Sequence, residues 1–129
     1  MEYLCTTCCQ RKRRTLQRIP ALERYLSRRI RLVWKESRRL HKPLLILSGK
    51  YGLLTPDEKI SFYDHALQRE EIEDLLSTLK KQLASHQVSR LVFYALPKNT
   101  SGWRPYYEVI EKACASRNIP LKIKRMKDE

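Results

Sequence analysis

Two polar segments of the sequence carry the side chains best suited to chemistry, and the first of them is built around a lysine. Ser48-Gly49-Lys50-Tyr51-Gly52 follows an apolar run directly. A lysine between glycines at the end of a buried strand can present backbone N–H groups and an ammonium group to an anion. The segment has neither the G-x-x-x-x-G-K-[ST] nor the G-x-G-x-x-G spacing, which disfavours ATP hydrolysis and dinucleotide binding. It predicts an anion site at Lys50, unless the glycines only turn the chain and Lys50 is solvated.

The second segment is a pair of cysteines followed by a basic run. Cys8 and Cys9 precede Arg11 and Lys12, and positive charge close to a thiol makes thiolate chemistry possible. Strand alternation predicts that only one of the two thiols points toward the loop side, and cysteines in strands are more often small buried hydrophobic residues. We take Cys9 as the candidate catalytic thiol, with Arg11 and Lys12 as phosphate ligands. Because Cys5-x-x-Cys8 has the spacing of only half a zinc site, we expect no metal and no cofactor.

Further polar side chains stand in the loops that follow the apolar runs. Asp64 is the best general acid or base in the sequence if its loop folds back. Its neighbour His65 has no accompanying G-x-S-x-G segment, which disfavours a Ser-His-Asp hydrolase. Lys98 and Asn99 follow the third apolar run, and we expect both to contact a substrate.

The apolar pattern predicts four strands and three helices in alternation. Apolar residues at three- and four-residue steps indicate helices, and short continuous apolar runs indicate buried strands. Trp103, Tyr106 and Tyr107 could stack on a base, but side chains at this spacing more often pack into a core. The predicted strands cover residues 3–8, 44–47, 88–96 and 121–126, and the predicted helices cover residues 21–40, residues 65–86 and a segment that begins at Trp103 and ends before Asn118.

This alternation predicts a three-layer, Rossmann-like α/β fold. The sheet has four mostly parallel strands with helices on both faces, because each crossover is long enough to hold a helix. The length of the chain predicts one domain over residues 1–129. Ligands of such sheets bind outside the carboxyl ends of the strands. The loops that contain Cys9, Lys50 and Asn99 should therefore meet at one edge of the sheet.

Charge is concentrated in the first third of the chain. The protein has 27 Lys and Arg residues against 14 Asp and Glu residues, a formal net charge of +13, and most of the excess lies in residues 1–43. A concentrated positive field favours encounter with polyanions, so we expect a nucleic acid or a phosphate-bearing small molecule as the partner. A solvated basic face or an acidic protein partner is the alternative. The candidate nucleic-acid-binding residues are those on the outer face of the first predicted helix: Arg24, Arg28, Arg31, Lys35 and Arg38.

The sequence also predicts where the protein is found. No stretch approaches the roughly 20 apolar residues that a membrane span needs. The first charged run follows the N-terminal apolar residues instead of preceding them, which disfavours a signal peptide. We expect a cytoplasmic protein that does not contact a membrane, and the oligomeric state is left open.

One stretch of the sequence resembles a known family. Ser48-Gly49-Lys50-Tyr51-Gly52-Leu53-Leu54-x-Pro56-x3-Ile60-x2-Tyr63-Asp64 resembles the S-[GA]-x-[YH]-G-L-L-x-P-x-x-x-I-x-x-Y-[DR] stretch shared by the YaaA-type peroxide-stress proteins and a group of small uncharacterised domains. Cys8 and Cys9 with the basic residues after them look like the end of the first strand in those small domains. A more distant likeness reaches the C-S-x-x-K segment of archaeosine synthase, which acts on a deazaguanine base in tRNA. The resemblance implies an α/β domain with its site at the strand ends and a link to nucleic-acid or modified-base chemistry.

Three functions are compatible with these observations. The first is a small enzyme or enzyme-like domain that acts on nucleic acid, a nucleoside or a modified base, with Lys50 neutralising or attacking the substrate. The second is a non-catalytic, basic nucleic-acid-binding protein connected with stress, and the third is a thiol-dependent redox protein that uses Cys8 and Cys9. In the first, the residues that orient the substrate or its phosphate are Ser48, Gly49, Tyr51, Gly52, Tyr63, Lys98 and Asn99.

Overall fold

The computed structural model describes residues 1–127 of the chain, and its secondary structure alternates between strands and helices. The strands are β1 (Glu2–Thr7), β2 (Ile19–Pro20), β3 (Leu44–Ser48), β4 (Gly52–Leu54), β5 (Lys59–Ile60), β6 (Arg90–Ala95) and β7 (Leu121–Arg125). The helices are α1 (Ala21–Arg24), α2 (Arg28–Leu40), α3 (Ile72–Ser85) and α4 (Arg104–Ser116), with a 3₁₀ turn at Arg69–Glu71 directly before α3.

Five strands form the central sheet, in the order β4-β3-β1-β6-β7. β3, β1, β6 and β7 are parallel to one another, which confirms the predicted mixed α/β fold with a mostly parallel sheet. The predicted number of four strands is wrong, because β4 pairs antiparallel with β3 at the edge. The chain reverses at residues 49–51 and pairs Gly52 with Ser48. Gly52 has a left-handed φ of +77°, which a glycine adopts without strain. β2 and β5 pair with each other in a separate two-stranded sheet.

The core has two parts, one on each face of the sheet. Cys5 and Phe93 pack with buried residues of α3 and α4. Leu4 and Ile46 point to the opposite face of the sheet and pack with buried residues of α1 and α2. Because successive strand residues point to opposite faces, the apolar runs of β1, β3 and β6 are buried on both sides.

The predicted helix over residues 21–40 is interrupted. Tyr25 is extended, and Leu26 donates its N–H to the carbonyl of Arg11 (2.9 Å), so this segment pairs with the loop after β1. Ser27 then caps α2, since its Oγ accepts the N–H of Ile30 (3.2 Å). A pairing partner more than ten residues away thus overrides the helical pattern at this point.

The predicted helix over residues 65–86 begins later than expected. Gln68 and Glu71 form a capping box, in which the side chain of each accepts the backbone N–H of the other. This capping box starts the helical segment after an extended stretch. Within residues 1–127, none of the helices combines the length and the apolar character needed to cross a membrane.

Candidate active site at the strand ends

A cleft of about 640 Å³ lies at the carboxyl ends of the central strands. It is lined by residues 7–12 at and after the end of β1, residues 26–28 at the start of α2, residues 64–66, residues 101–103 before α4, and Tyr106 of α4. The chain leaves β1 toward β3 on one side and later returns to β6 on the other side. Loops separate at such a reversal of strand order, and open α/β sheets bind their ligands there.

The cleft contains several of the predicted site residues and excludes the others. Lys50 is exposed and does not line it, and its Nζ lies 5.3 Å from the ring centre of Tyr51. Lys98 pairs with Glu111 of α4 (3.0 Å), and Asn99 is exposed outside the cleft. Among the loops expected to meet, those after β1 and β6 do so, whereas the loop after β3 contributes no lining residue. The predicted residues that line the cleft are Cys9, Arg11, Lys12, Arg28 and Asp64.

Lys12 is the most buried cation of the cleft. Its side chain is only 9% exposed, and its Nζ lies 4.6 Å from the ring centre of Tyr63. The ammonium donates a long hydrogen bond to the carbonyl of Gln10 (3.4 Å), and within the described part of the chain no carboxylate lies within ion-pair distance of it. A buried ammonium is costly without an opposite charge, and an aromatic face offsets only part of that cost. The cleft therefore favours an anion as its ligand.

Arg29 is a buried side chain of this region that the sequence analysis missed. Its guanidinium donates to the hydroxyl of Thr6 (2.5 Å) and to the carbonyls of Thr7 (2.9 Å) and Cys8 (3.2 Å). It also lies over the ring of Trp103, 4.9 Å from its centre. Arg29 thus joins the end of β1 to α2 and to the loop before α4. The only signal in the sequence was its place on the apolar side of the helical pattern.

Ser48 and Tyr63 belong to a buried chain of hydroxyl groups. Ser48 Oγ accepts the N–H groups of Lys50 and Tyr51 (both 3.1 Å), so its own proton is directed to Tyr63 OH at 2.9 Å. Tyr63 OH is then placed to donate to Tyr25 OH at 2.5 Å. Burial, and then the neighbouring Cys8, raise the pKa of both tyrosines, which keeps them protonated. Ser48 is fully buried, so it positions the residue 63–64 segment. The expectation that Ser48 contacts a ligand is therefore wrong.

The glycines of the same segment also have a packing role. A Cβ added to Gly49 would lie 2.8 Å from the backbone N of Leu67 and 3.0 Å from Tyr106 OH. Gly52 is buried where the chain enters β4, beside Gln82, whose amide bonds the backbone of this turn. These contacts correct the expectation that the two glycines approach a phosphate, because protein atoms already occupy the space against them.

Both neighbouring cysteines line the cleft and are half-buried, although the alternation predicted one. Cys9 Sγ donates to the carbonyl of Arg11 (3.0 Å). Cys8 Sγ lies 3.6 Å from Tyr106 OH, and that hydroxyl accepts the N–H of Leu67 (3.0 Å). Burial raises the pKa of Tyr106, and the neighbouring Cys8 raises it further. The two thiols therefore have different partners at one edge of the sheet.

The acid and base groups of the cleft lie on the residue 64–66 segment. Asp64 and His65 both line the cleft and are exposed. His65 Nε2 lies 2.8 Å from a carboxylate oxygen of Glu71. The backbone N–H of Gln68 and then His65 hold the pKa of Glu71 below its ordinary value, although burial opposes this. Within residues 1–127, no three His, Cys, Asp or Glu side chains are grouped as a metal site would require.

The basic surface of α2 begins at this cleft, but it does not include Arg24. The Arg24 guanidinium is buried and donates to the carbonyls of Arg13, Thr15, Gln17 and Ile60. The expectation that Arg24 faces a nucleic acid is therefore wrong. The reason is that α1 ends at this residue and the helical pattern does not continue through it. The remaining predicted residues of this surface are exposed, and we call them the basic ridge: Arg28, Arg31, Lys35 and Arg38.

Comparisons with known proteins place the chain in a family and leave its activity open. No curated protein and no solved structure matched the chain. The comparisons give no link to the YaaA-type proteins or to archaeosine synthase. A family of unknown function (DUF6884) matches residues 4–126, which include every segment that lines the cleft. Because this match covers nearly the whole chain, the protein belongs to that family of unknown function, DUF6884.

Proposed function

We propose that this protein is a small enzyme, or an enzyme-like domain, that binds a nucleic acid or a nucleoside phosphate in the strand-end cleft. The observation that carries the proposal is Lys12, a largely buried residue that lines a cleft where two further cations, Arg11 and Arg28, are also present. A phosphate would supply the negative charge that Lys12 lacks among the described residues. An Arg side chain can donate two parallel hydrogen bonds to two oxygens of one phosphate.

The remaining side chains of the cleft support chemistry on the bound ligand. Asp64 and His65 line the cleft and are the side chains there that could serve as general acid and base toward a bound substrate. Lys12, and not Lys50, is the lysine in the cleft, so the role that the sequence suggested for Lys50 moves to Lys12. The volume of about 640 Å³ is in the range of pockets that hold a nucleotide-sized molecule.

The sheet order supports a doubly wound, Rossmann-like interpretation of this single-domain fold. β3 and β6 flank β1, and the cleft lies between the loops that leave β1 and β6. Nucleotide phosphates bind at the corresponding place in doubly wound folds. The resemblance of residues 48–64 to YaaA-type proteins points to the same class of ligand, and we retain it as part of the proposal.

A second candidate function is non-catalytic binding of nucleic acid. The basic ridge on α2 favours it, because Arg28, Arg31 and Lys35 are exposed and occupy positions that face the same side of a helix. Arg28 also lines the cleft, so the ridge and the cleft form one continuous positive surface. On this second interpretation the cleft would add nothing beyond its charge.

Titration calorimetry with the full chain tests the first proposal. The probes are pyrophosphate, a nucleoside 5′-monophosphate and single-stranded oligonucleotides of about 12 nucleotides. Lys12→Met keeps the buried stem and removes the charge, so it should weaken binding of each probe by about tenfold or more, the value of one charge-assisted hydrogen bond. Lys50→Met is the matched control, because Lys50 lies outside the cleft, and it should change binding by less than about twofold.

Two results would contradict the proposal. One is that none of the three probes binds to the unmodified protein at low salt. The other is that Lys50→Met weakens binding as much as Lys12→Met, which would place the anion at the loop after β3 instead of in the cleft.

A further inference from the structure

A large apolar side chain stands in solvent in the loop between β1 and β2. Leu16 is 99% exposed, the highest value among the exposed large hydrophobic residues of the described chain. The residues on both sides of it are exposed as well, and we call residues 13–18 the Leu16 loop. A singly exposed leucine is ordinary on a protein surface. Leu16 differs from such a residue in the way in which its loop is held.

The Leu16 loop is fixed from beneath by Arg24. This fully buried guanidinium donates to the carbonyls of three alternate loop residues: Arg13 (2.6 Å), Thr15 (3.1 Å) and Gln17 (2.6 Å). A fourth hydrogen bond, to the carbonyl of Ile60 (3.1 Å), ties the same guanidinium to β5. The loop is therefore held in one conformation, and that conformation leaves Leu16 in solvent.

The arginines of the loop are also held against the protein. Arg18 donates to the carbonyl of Lys59 (2.9 Å), and the Arg14 guanidinium lies 5.1 Å from the ring centre of Phe62. A partner of this loop would not have to order it, so less of the binding free energy is spent on lost flexibility.

The charge of the loop indicates the kind of partner. The loop contains Arg13, Arg14 and Arg18 and no Asp or Glu. Among the described residues, no carboxylate lies within ion-pair distance of these three side chains. Arg24 adds a buried positive charge beneath them, and its hydrogen-bond partners are neutral carbonyls. Exposed and buried cations together favour a polyanion over an apolar protein surface.

We infer that the Leu16 loop binds a nucleic-acid duplex and inserts Leu16 between two adjacent base pairs. Leucine is one of the side chains that proteins insert as a wedge between base steps, and neighbouring cations contact the phosphates. A duplex suits the wedge because stacked base pairs cover an apolar side chain on both sides. The inference rests on the proposed function for the class of ligand, a nucleic acid, and adds a second contact beside the cleft, which begins at Lys12.

Fluorescence of 2-aminopurine in duplex DNA tests this inference with the full chain. The probe is a duplex of about 14 base pairs with 2-aminopurine beside a central TA step, which unstacks readily. Stacking quenches 2-aminopurine, so insertion of a wedge should raise its fluorescence at least about twofold at saturation. Leu16→Ala should abolish most of this rise and weaken duplex binding about tenfold, because the apolar contact with the bases is lost.

Two further variants control for the side chain and its place. Because Leu16 is almost fully exposed, its replacement should leave the fold intact. Leu16→Met should keep the fluorescence rise, since methionine also serves as a wedge. Leu32→Ala is the matched control, because Leu32 is a leucine of α2 that is 44% exposed, and it should change the affinity by less than about twofold.

Three results would overturn the inference. One is a fluorescence rise that persists in Leu16→Ala, and another is an equal loss of affinity in Leu16→Ala and Leu32→Ala. The third is a duplex affinity that Leu16→Ala leaves unchanged, which would leave a protein surface as the partner of the exposed leucine.

The two measurements distinguish failure of this inference from failure of the proposed function. A fluorescence rise that depends on Leu16, in a protein that binds none of the three calorimetry probes, would support the wedge and overturn the proposed function. Binding of those probes that depends on Lys12, with no fluorescence rise at saturating duplex, would overturn the wedge alone.

Discussion

At the scale of single residues, Arg24 shows how a charged side chain can hold a loop together from inside the protein. Its guanidinium donates to carbonyls of the loop after β1, those of Arg13, Thr15 and Gln17, and to the carbonyl of Ile60. Its Nε has no hydrogen-bond partner among the described residues. The loop it organises also carries the cleft residue Lys12, so Arg24 contributes to the site from a distance.

Replacement of Arg24 by Met should therefore destabilise the protein strongly. The change leaves the four carbonyls without their donor, that of Ile60 in a fully buried hydrogen bond, and it removes the buried guanidinium that links these segments. We expect the free energy of unfolding to fall by about 3 kcal/mol or more. Urea unfolding followed by circular dichroism measures this. Arg28→Met is the control, because an exposed side chain should change the value by less than about 0.5 kcal/mol. Equal effects of the two substitutions would show that Arg24 is not held as described.

The candidate site also shows which residue roles can be predicted from a sequence. The basic run after β1 was recognised from charge alone, and Arg11 and Lys12 line the cleft. Arg29 was missed because nothing in a single sequence distinguishes a buried arginine from an exposed one except its place in the apolar pattern. The role of Ser48 was predicted wrongly because its buried hydrogen bond to Tyr63 joins residues far apart in sequence, and the sequence alone does not show that contact.

At the scale of elements, the loop after β3 is packed under the segment that carries Asp64. Gly49 meets the backbone N of Leu67 and the Tyr106 hydroxyl, so the two segments approach as closely as their backbones allow. Ser48 bonds Tyr63, the residue before Asp64. The motif of residues 48–64 thus acts as a support for the cleft, and only its last residue lines it.

Substitution of Gly49 by Ala tests this support. The added Cβ would lie 2.8 Å from a backbone nitrogen, so one segment must move, and we expect a loss of about 2 kcal/mol or more in the free energy of unfolding. Gly102→Ala is the matched control, because its Cβ would meet nothing within 4 Å and only its positive φ of +82° is unfavourable. That variant should lose about 1 kcal/mol in the same chemical denaturation. If Gly49→Ala were the milder of the two, the close packing would be refuted.

The elements were predictable where their stability is local and unpredictable where it depends on distant pairing. Continuous apolar runs predicted β1, β3 and β6 because both of their faces are buried. β4 has only three residues and forms because β3 offers a free edge, which a local pattern does not contain. The break between α1 and α2 depends in the same way on pairing of Tyr25 with Lys12.

At the scale of the whole molecule, the excess positive charge is distributed unevenly over the surface. On α2, Arg39 pairs with Glu36 (2.8 Å), whereas for Arg28, Arg31 and Lys35 no carboxylate of the described residues lies within ion-pair distance. A net charge of +13 alone would attract any polyanion. The salt dependence of binding separates a general attraction from a defined contact, because it counts the phosphates that are neutralised.

Removal of the ridge charges should therefore change the salt dependence in a predictable amount. Each phosphate of a single strand neutralised by the protein contributes about 0.7 to the slope of log K against log salt concentration. The triple variant Arg28→Gln, Arg31→Gln, Lys35→Gln should reduce the magnitude of that slope by about 2 for a single-stranded oligonucleotide. Fluorescence anisotropy over a range of salt concentrations measures it. Lys12→Met should lower the affinity while reducing the slope by no more than about 1, since it removes one contact.

A second triple variant on another surface provides the control for net charge. Lys80, Lys81 and Arg117 are exposed and line a shallow groove beside α3, remote in sequence from the cleft segments. Their replacement by Gln removes the same three charges, so a purely general attraction would lower the slope as much as the ridge variant does. If the strand follows the ridge from the cleft, the control slope should stay within about 0.5 of that of the unmodified protein. Equal slopes for the two triple variants would exclude the ridge as the path of the strand and leave the cleft as the defined contact.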